Sequence, residues 1–225
     1  MNRGESDGVS IRLLSLGLRQ ILAIGGITSL IPYVHSDELG AKPAAEEFYE
    51  IGRYRDGHRV EVRTGGDPKT LGLDFSLQIP EVWTVSYDAS RPQVVQRFMR
   101  RKDQIWIGGE MFVFPDYTRS YVDRVIPFSI SRPTAQEFKV PGTTASGVRE
   151  FGAILNTPHL PDKYYARCSV LTFVYKGHFA AVSLSVRGLA SDKKQIDAIY
   201  EELKPDYLKI YRSLKIHGLI ETSKP

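Results

Sequence analysis

The sequence predicts an α+β fold: an antiparallel β-sheet of about six strands flanked by helices, with a C-terminal helix packed on the sheet. Three observations predict it. Apolar and polar residues alternate strictly through Leu71–Ile79, two later pairs of β-rich runs are separated by short polar turns, and the chain closes on an amphipathic helical pattern. Of the 225 residues 42% are hydrophobic, enough to build a core and to exclude a disordered or low-complexity chain. The 30 Lys and Arg stand against 26 Asp and Glu, so the net charge of +4 is too small and too evenly spread to mark a nucleic-acid binder.

The first segment reads as an address. Arg3, Arg12 and Arg19 precede the apolar run Ile21–Ile31, and no charged residue follows until Asp37. A basic start followed by an apolar run of this length is the pattern of a secretory signal. Val34 and Ser36 supply the apolar and small residues that fit cleavage after Ser36. A retained N-terminal anchor is the alternative, although the run carries Gly25, Gly26 and Pro32 and is shorter than the roughly 20 apolar residues of a membrane span. No cysteine stands at the end of the run, which argues against a lipoprotein anchor, and no paired arginines precede it, which favours the general export route. Removing 36 of 225 residues leaves 189, with 27 basic and 24 acidic side chains and a net charge of +3.

Residues 37–57 form a lead-in, with a short helix expected over Ala44–Ile51 and stopping at Gly52. A single domain is expected over 58–218, followed by a tail at 219–225. Val60 and Val62 alternate with charged neighbours, and Thr64–Pro68 breaks the chain. Leu71, Leu73, Phe75, Leu77 and Ile79 then occupy every second position of a half-buried strand, which Pro80 ends because it has no N–H for the ladder. Trp83, Val85 and Tyr87 repeat the alternation.

Val94–Arg100 and Ile105–Phe114 predict one hairpin, and Tyr164–Tyr175 and His178–Val186 a second, turning at Lys176–Gly177 where glycine accepts positive φ. Both faces of Tyr164–Tyr175 are apolar, so it reads as a central strand. Pro115–Pro161 reads as irregular, with a short helix near Thr118–Val125. Asp192 and Gln195 make a capping-box pattern before a helix whose apolar stripe runs through Ile196, Ile199, Tyr200 and Leu203. Pro205 is expected to kink or restart it, and Leu208, Tyr211 and Leu214 to continue the stripe.

The segment Leu73–Trp83, with its strand, proline and tryptophan, resembles the opening of PsbP-like domains, α/β sandwiches that include bacterial exported proteins of the DcrB type. A hairpin ending in Met111–Phe114, an irregular stretch, a second hairpin at Lys176–Gly177 and a long helix finishing at Ile210–Ile216 follow in that family's order. Val82 stands where a glycine would be more typical. Over about residues 58–218 the resemblance implies a central antiparallel sheet with helices on its faces and a non-catalytic binding or assembly role. It supplies no catalytic motif.

The residues themselves carry no HExxH, GxSxG, Walker, GxGxxG or EF-hand pattern, so no catalytic residue, metal or cofactor is assigned. His58, His159, His178 and His217 are isolated in sequence. A pair of them with Asp162 could ligate a metal only by converging in space. Cys168, the single cysteine, excludes an internal disulfide and reads as a small buried residue of a central strand. Arg97, Arg100, Arg101 and Lys102 cluster at the first hairpin turn as candidate contacts to an anionic partner, and Arg53, Arg55, His58, Arg59 and Arg63 surround Tyr54. The reading that results is an exported, non-enzymatic binding or assembly protein. Its expected partner is another cell-envelope protein or a membrane surface, with no nucleic acid. One alternative is a secreted protein acting on a host or competing cell. The other is an enzyme with a site around the Arg132–Thr157 loop, where Gly142, Gly147 and Gly152 would permit mobility.

Overall fold

The computed structural model describes residues 51–87, 91, 93–114, 135–155 and 162–220. The signal segment, its cut after Ser36, most of the lead-in helix, His159 and the helix expected near Thr118–Val125 lie outside the described residues. Ten strands and one long helix follow in order: β1 Arg59–Arg63, β2 Leu73–Pro80, β3 Thr84–Ser86, β4 Val94–Lys102, β5 Ile105–Phe114, β6 Ala135–Glu137, β7 Ala145–Leu155, β8 Tyr164–Tyr175, β9 His178–Leu189, α1 Lys193–Arg212 and β10 Lys215–Leu219. They form a seven-stranded antiparallel sheet ordered β3-β4-β5-β9-β8-β7-β6 and a three-stranded sheet ordered β1-β2-β10.

The α+β class, both hairpins and the C-terminal helix on the sheet stand as expected. Lys176 and Gly177 turn the second hairpin with φ of 46° and 84°, the two positive values that a two-residue turn of this twist requires. β8 lies between β7 and β9, in keeping with its two apolar faces.

One face of the large sheet carries the main core. Leu171 and Phe173 of β8, Val182, Leu184 and Val186 of β9, and Ile107 and Met111 of β5 meet Ile196, Ile199, Tyr200, Leu203, Tyr207 and Tyr211 of α1. β2 joins the same core through Leu73, Phe75, Leu77 and Ile79, and the Phe75 ring meets Phe173 edge-on at 5.2 Å. The helix and the small sheet therefore share one side of the large sheet. Trp83 closes an end of this core, stacked on Phe98 at 5.9 Å, with its indole N–H donated to the Ile51 carbonyl at 2.7 Å.

Four sequence expectations need correction. The Arg132–Thr157 stretch is not an irregular loop where it is described. β6 pairs with β7, and β7 pairs with β8 along its whole length, from Ala145 opposite Val174 to Leu155 opposite Tyr164. Gly152 serves close packing and not mobility, because a Cβ there would lie 2.3 Å from the Tyr165 hydroxyl. The helix stops at Arg212, and Lys215–Leu219 pairs with β2, so Leu219 belongs to a strand and not to a tail. Asp192 precedes the helix without a side-chain capping bond, and the helix runs unbroken through Pro205. Finally, β3 is an edge strand of three residues: Val85 on it and Tyr87 after it are exposed, and only Trp83, before it, turns inward.

The buried tyrosines of α1 make an internal comparison. Tyr211 donates to the Ser169 carbonyl at 2.8 Å, whereas the hydroxyls of Tyr200 and Tyr207 are buried with no hydrogen-bond partner among the described residues. An unmade buried hydrogen bond costs more than it returns. Tyr207→Phe is therefore expected to leave stability unchanged or raise it, and Tyr211→Phe to lower it by about 1 kcal/mol, compared by urea denaturation.

Candidate functional site

The opposite face of the large sheet has a different composition. Directly paired residues share a face, so the register places three rows side by side. One row runs Arg149, Val170, Ser183, Glu110, Arg97; the next runs Phe151, Cys168, Ser185, Gly108, Met99; the third runs Ala153, Ala166, Arg187, Trp106, Arg101. Beyond the first row lies a small apolar cluster of Val94, Phe112, Phe114, Val170, Val174, Phe179 and Ala181. The centre of the face is polar and rich in arginine.

Glu110 is the hub. It is 6% exposed in the middle of an otherwise apolar strand, and a buried carboxylate has to be paired. Arg91 Nη2 donates to Oε1 at 2.7 Å and Arg97 Nε donates to the same oxygen at 2.9 Å. A β-bulge between Val94 and Gln96 sets this geometry, because it shifts the register so that Arg97, and not Gln96, faces Glu110.

Arg187 is the third guanidinium. It is half-buried, and its hydrogen bond among the described residues is from Nη2 to the Met99 sulfur at 3.8 Å. Met99 pairs with Gly108, so Arg187 leans from its own row across the position where β5 carries no side chain. Gly108 cannot carry one, since a Cβ would lie 2.2 Å from the Phe98 carbonyl oxygen. Burial pulls the Arg187 pKa down, Glu110 opposes that, and the charges of Arg97 and Arg91 add to the downward shift. Arg101 flanks the row, its guanidinium 4.8 Å from the Trp106 ring centre.

The candidate contacts at the first hairpin are thereby divided. Arg97 and Arg101 lie on the face with Glu110, while strand alternation sends Arg100 and Lys102 to the other side. Arg97 is held by Glu110, Arg101 donates to the Asp103 carbonyl at 2.7 Å, and Arg100 is exposed. The second basic group does not act as a unit. Arg53 meets Glu202 at 3.7 Å, His58 meets Glu81 at 2.7 Å, Arg59 meets Asp56 at 3.1 Å and Arg63 meets the buried Asp74 at 2.5 Å.

The small sheet carries a serine, a histidine and a glutamate that the sequence kept apart. Ser76 Oγ lies 2.6 Å from Glu61 Oε1 and 2.8 Å from His217 Nε2. In a catalytic triad the carboxylate orients the histidine through its other nitrogen, and the histidine takes the serine proton. Here the carboxylate accepts from the serine itself, and Ser76 is 1% exposed in the central strand. The three act as a cross-strand hydrogen-bond network, like Arg59, Tyr54 and Gln78 beside them. His178 faces the Leu71 carbonyl at 3.2 Å, so these histidines occupy separate settings. Among the described residues no group of three His, Cys, Asp or Glu could hold a metal ion.

Cys168 shares the row of Ser185 and Gly108. It is half-buried by area, yet the atoms crowded around its thiol push its pKa from 9.0 up to about 12. Arg187 and Arg167 oppose that shift without reversing it. At pH 7.5 the thiol is expected to react with iodoacetamide at least about 100-fold more slowly in the native chain than in urea. Burial also raises the pKa of Tyr200, Tyr207 and Tyr211. Each raised value favours the protonated group in the fold, so the Cys168 contribution is present below pH 9 and is lost as pH climbs toward about 12, and the tyrosine contributions are present below pH 10 and are lost as pH rises above it. Urea midpoints measured from pH 8 to pH 11 should fall with pH.

No protein-family model matches the chain, and no curated protein matches its sequence. Among solved structures it is similar to LpqN of Mycobacterium tuberculosis, described as involved in cell envelope biogenesis. The match has 14% identity and a TM-score of 0.36, and covers 73% of this chain and 94% of that one. No helix among the described residues is long and apolar enough to cross a membrane.

Proposed function

We propose that the chain is an exported, non-enzymatic binding or assembly protein of the cell envelope, meeting its ligand or partner on the sheet face opposite α1. The observation that carries this reading is the half-buried gathering of Arg91, Arg97 and Arg187 about Glu110 at the centre of that face. Arg187 has the least polar company of the three: its hydrogen bond among the described residues is to the Met99 sulfur, a weak acceptor. The basic start and apolar run of the first 36 residues support export.

Intact-mass analysis of the chain recovered from cell fractions tests the first half of the reading. A mature species beginning at Asp37 in the periplasmic or envelope fraction is expected. A full-length species confined to the cytosol would contradict export, and a mature species found only in culture fluid would favour action on another cell.

A further inference from the structure

We propose that Arg187, leaning over Gly108 between Ser185 and Met99 with Arg97 and Arg91 beyond it, is a binding site for a phosphate group, whether of a free phosphate ester or of a lipid headgroup. The proposal rests on the reading of this face as a binding surface and names the chemistry it recognises.

The geometry supports this in three ways. First, Glu110 is already engaged at 2.7 Å and 2.9 Å by Arg91 and Arg97, so the carboxylate nearest to Arg187 is shared before Arg187 reaches it. Second, the guanidinium offers five donors in a planar fork suited to paired oxyanion oxygens, and its contact with a described residue is a thioether, a weak acceptor, at 3.8 Å. Third, Gly108 carries no side chain on this face, and Ser185, paired with it, supplies a small hydroxyl. A planar guanidinium fork beside a hydroxyl suits the oxygens of a phosphate group. Arg100, on the other side of the same strand, is the natural control.

The full chain would be titrated with inorganic phosphate against chloride at matched ionic strength, following binding by calorimetry and by thermal shift. Saturable binding is expected, weakened at least about tenfold by Arg187→Gln and left unchanged by Arg100→Gln. A second variant guards against misfolding: Ser185→Asp sets a carboxylate on the neighbouring strand and should abolish phosphate binding in a chain that still melts cooperatively. Flotation with phosphatidylglycerol vesicles, compared with phosphatidylcholine, separates the sources. Binding of both phosphate and anionic vesicles supports a headgroup, and binding of phosphate alone supports a soluble ester. Phosphate that acts no differently from chloride, or Arg187→Gln and Ser185→Asp chains that bind as the parent does, would overturn the site. Those results would leave export and envelope location standing, since the mass analysis reads them separately.

Discussion

Replacing Glu110 with alanine is expected to destabilise the protein by about 3 kcal/mol, more than removal of any exposed charge. Glu110 is 6% exposed and accepts from Arg91 and Arg97, and it is also the charge that offsets burial at Arg187. Its loss withdraws the carboxylate from three guanidiniums at once, and the cost is the repulsion left behind as much as the bonds removed. Glu110→Gln keeps the volume and an acceptor, so it should cost less than alanine. The double variant Glu110→Gln with Arg97→Gln should recover part of the loss, because the two positions are coupled. Urea denaturation of the parent, Glu110→Ala, Glu110→Gln, Arg97→Gln and the double variant measures this. Strict additivity of the single changes would mean that the pair contributes nothing of its own.

The second large effect is expected at Gly109. A Cβ built there lies 2.0 Å from the Ser183 carbonyl oxygen and 2.8 Å from a Leu184 methyl. The first of these is backbone of the neighbouring strand and cannot rotate away. Gly109→Ala must part β5 from β9 in the middle of the large sheet, at a cost of about 3 kcal/mol. Gly66 has positive φ of 79° and open space around the added carbon, so alanine there meets backbone strain alone. A melting temperature for Gly109→Ala equal to that of the parent would show that the strands are not so closely apposed.

Local chemistry made much of the fold legible. Leu73, Phe75, Leu77 and Ile79 announce β2 by alternation, Gly177 announces the second hairpin, and the spacing of Ile196, Ile199, Tyr200 and Leu203 announces the helix. What stayed hidden is set by partners distant in sequence. β7 contains Gly147 and Gly152 and mixes charge on both faces, so it looks like a loop until β8 pairs with it. β10 is five residues long, and its neighbour β2 lies far back in the chain.

The arginine cluster needed the register of β4, β5 and β9 together with the bulge after Val94, none of which is visible one segment at a time. A signal did exist. Glu110 and Arg187 are each the one Asp, Glu, Lys or Arg of their strand, and a charge in such a place must find a partner. The hairpin-turn arginines were the more conspicuous group in sequence, yet alternation divides them between two faces.

The face bearing Glu110 and Arg187 is proposed as the place where this protein meets its ligand. Backbone amide chemical shifts of the isotope-labelled chain, followed while phosphate is added, locate the site. The largest changes are expected on Gly108 and Gly109 of β5, Ser185 and Arg187 of β9, and Arg97 and Met99 of β4. Changes centred instead on Arg59–Arg63 and the small sheet, or spread evenly over exposed lysines and arginines, would contradict it.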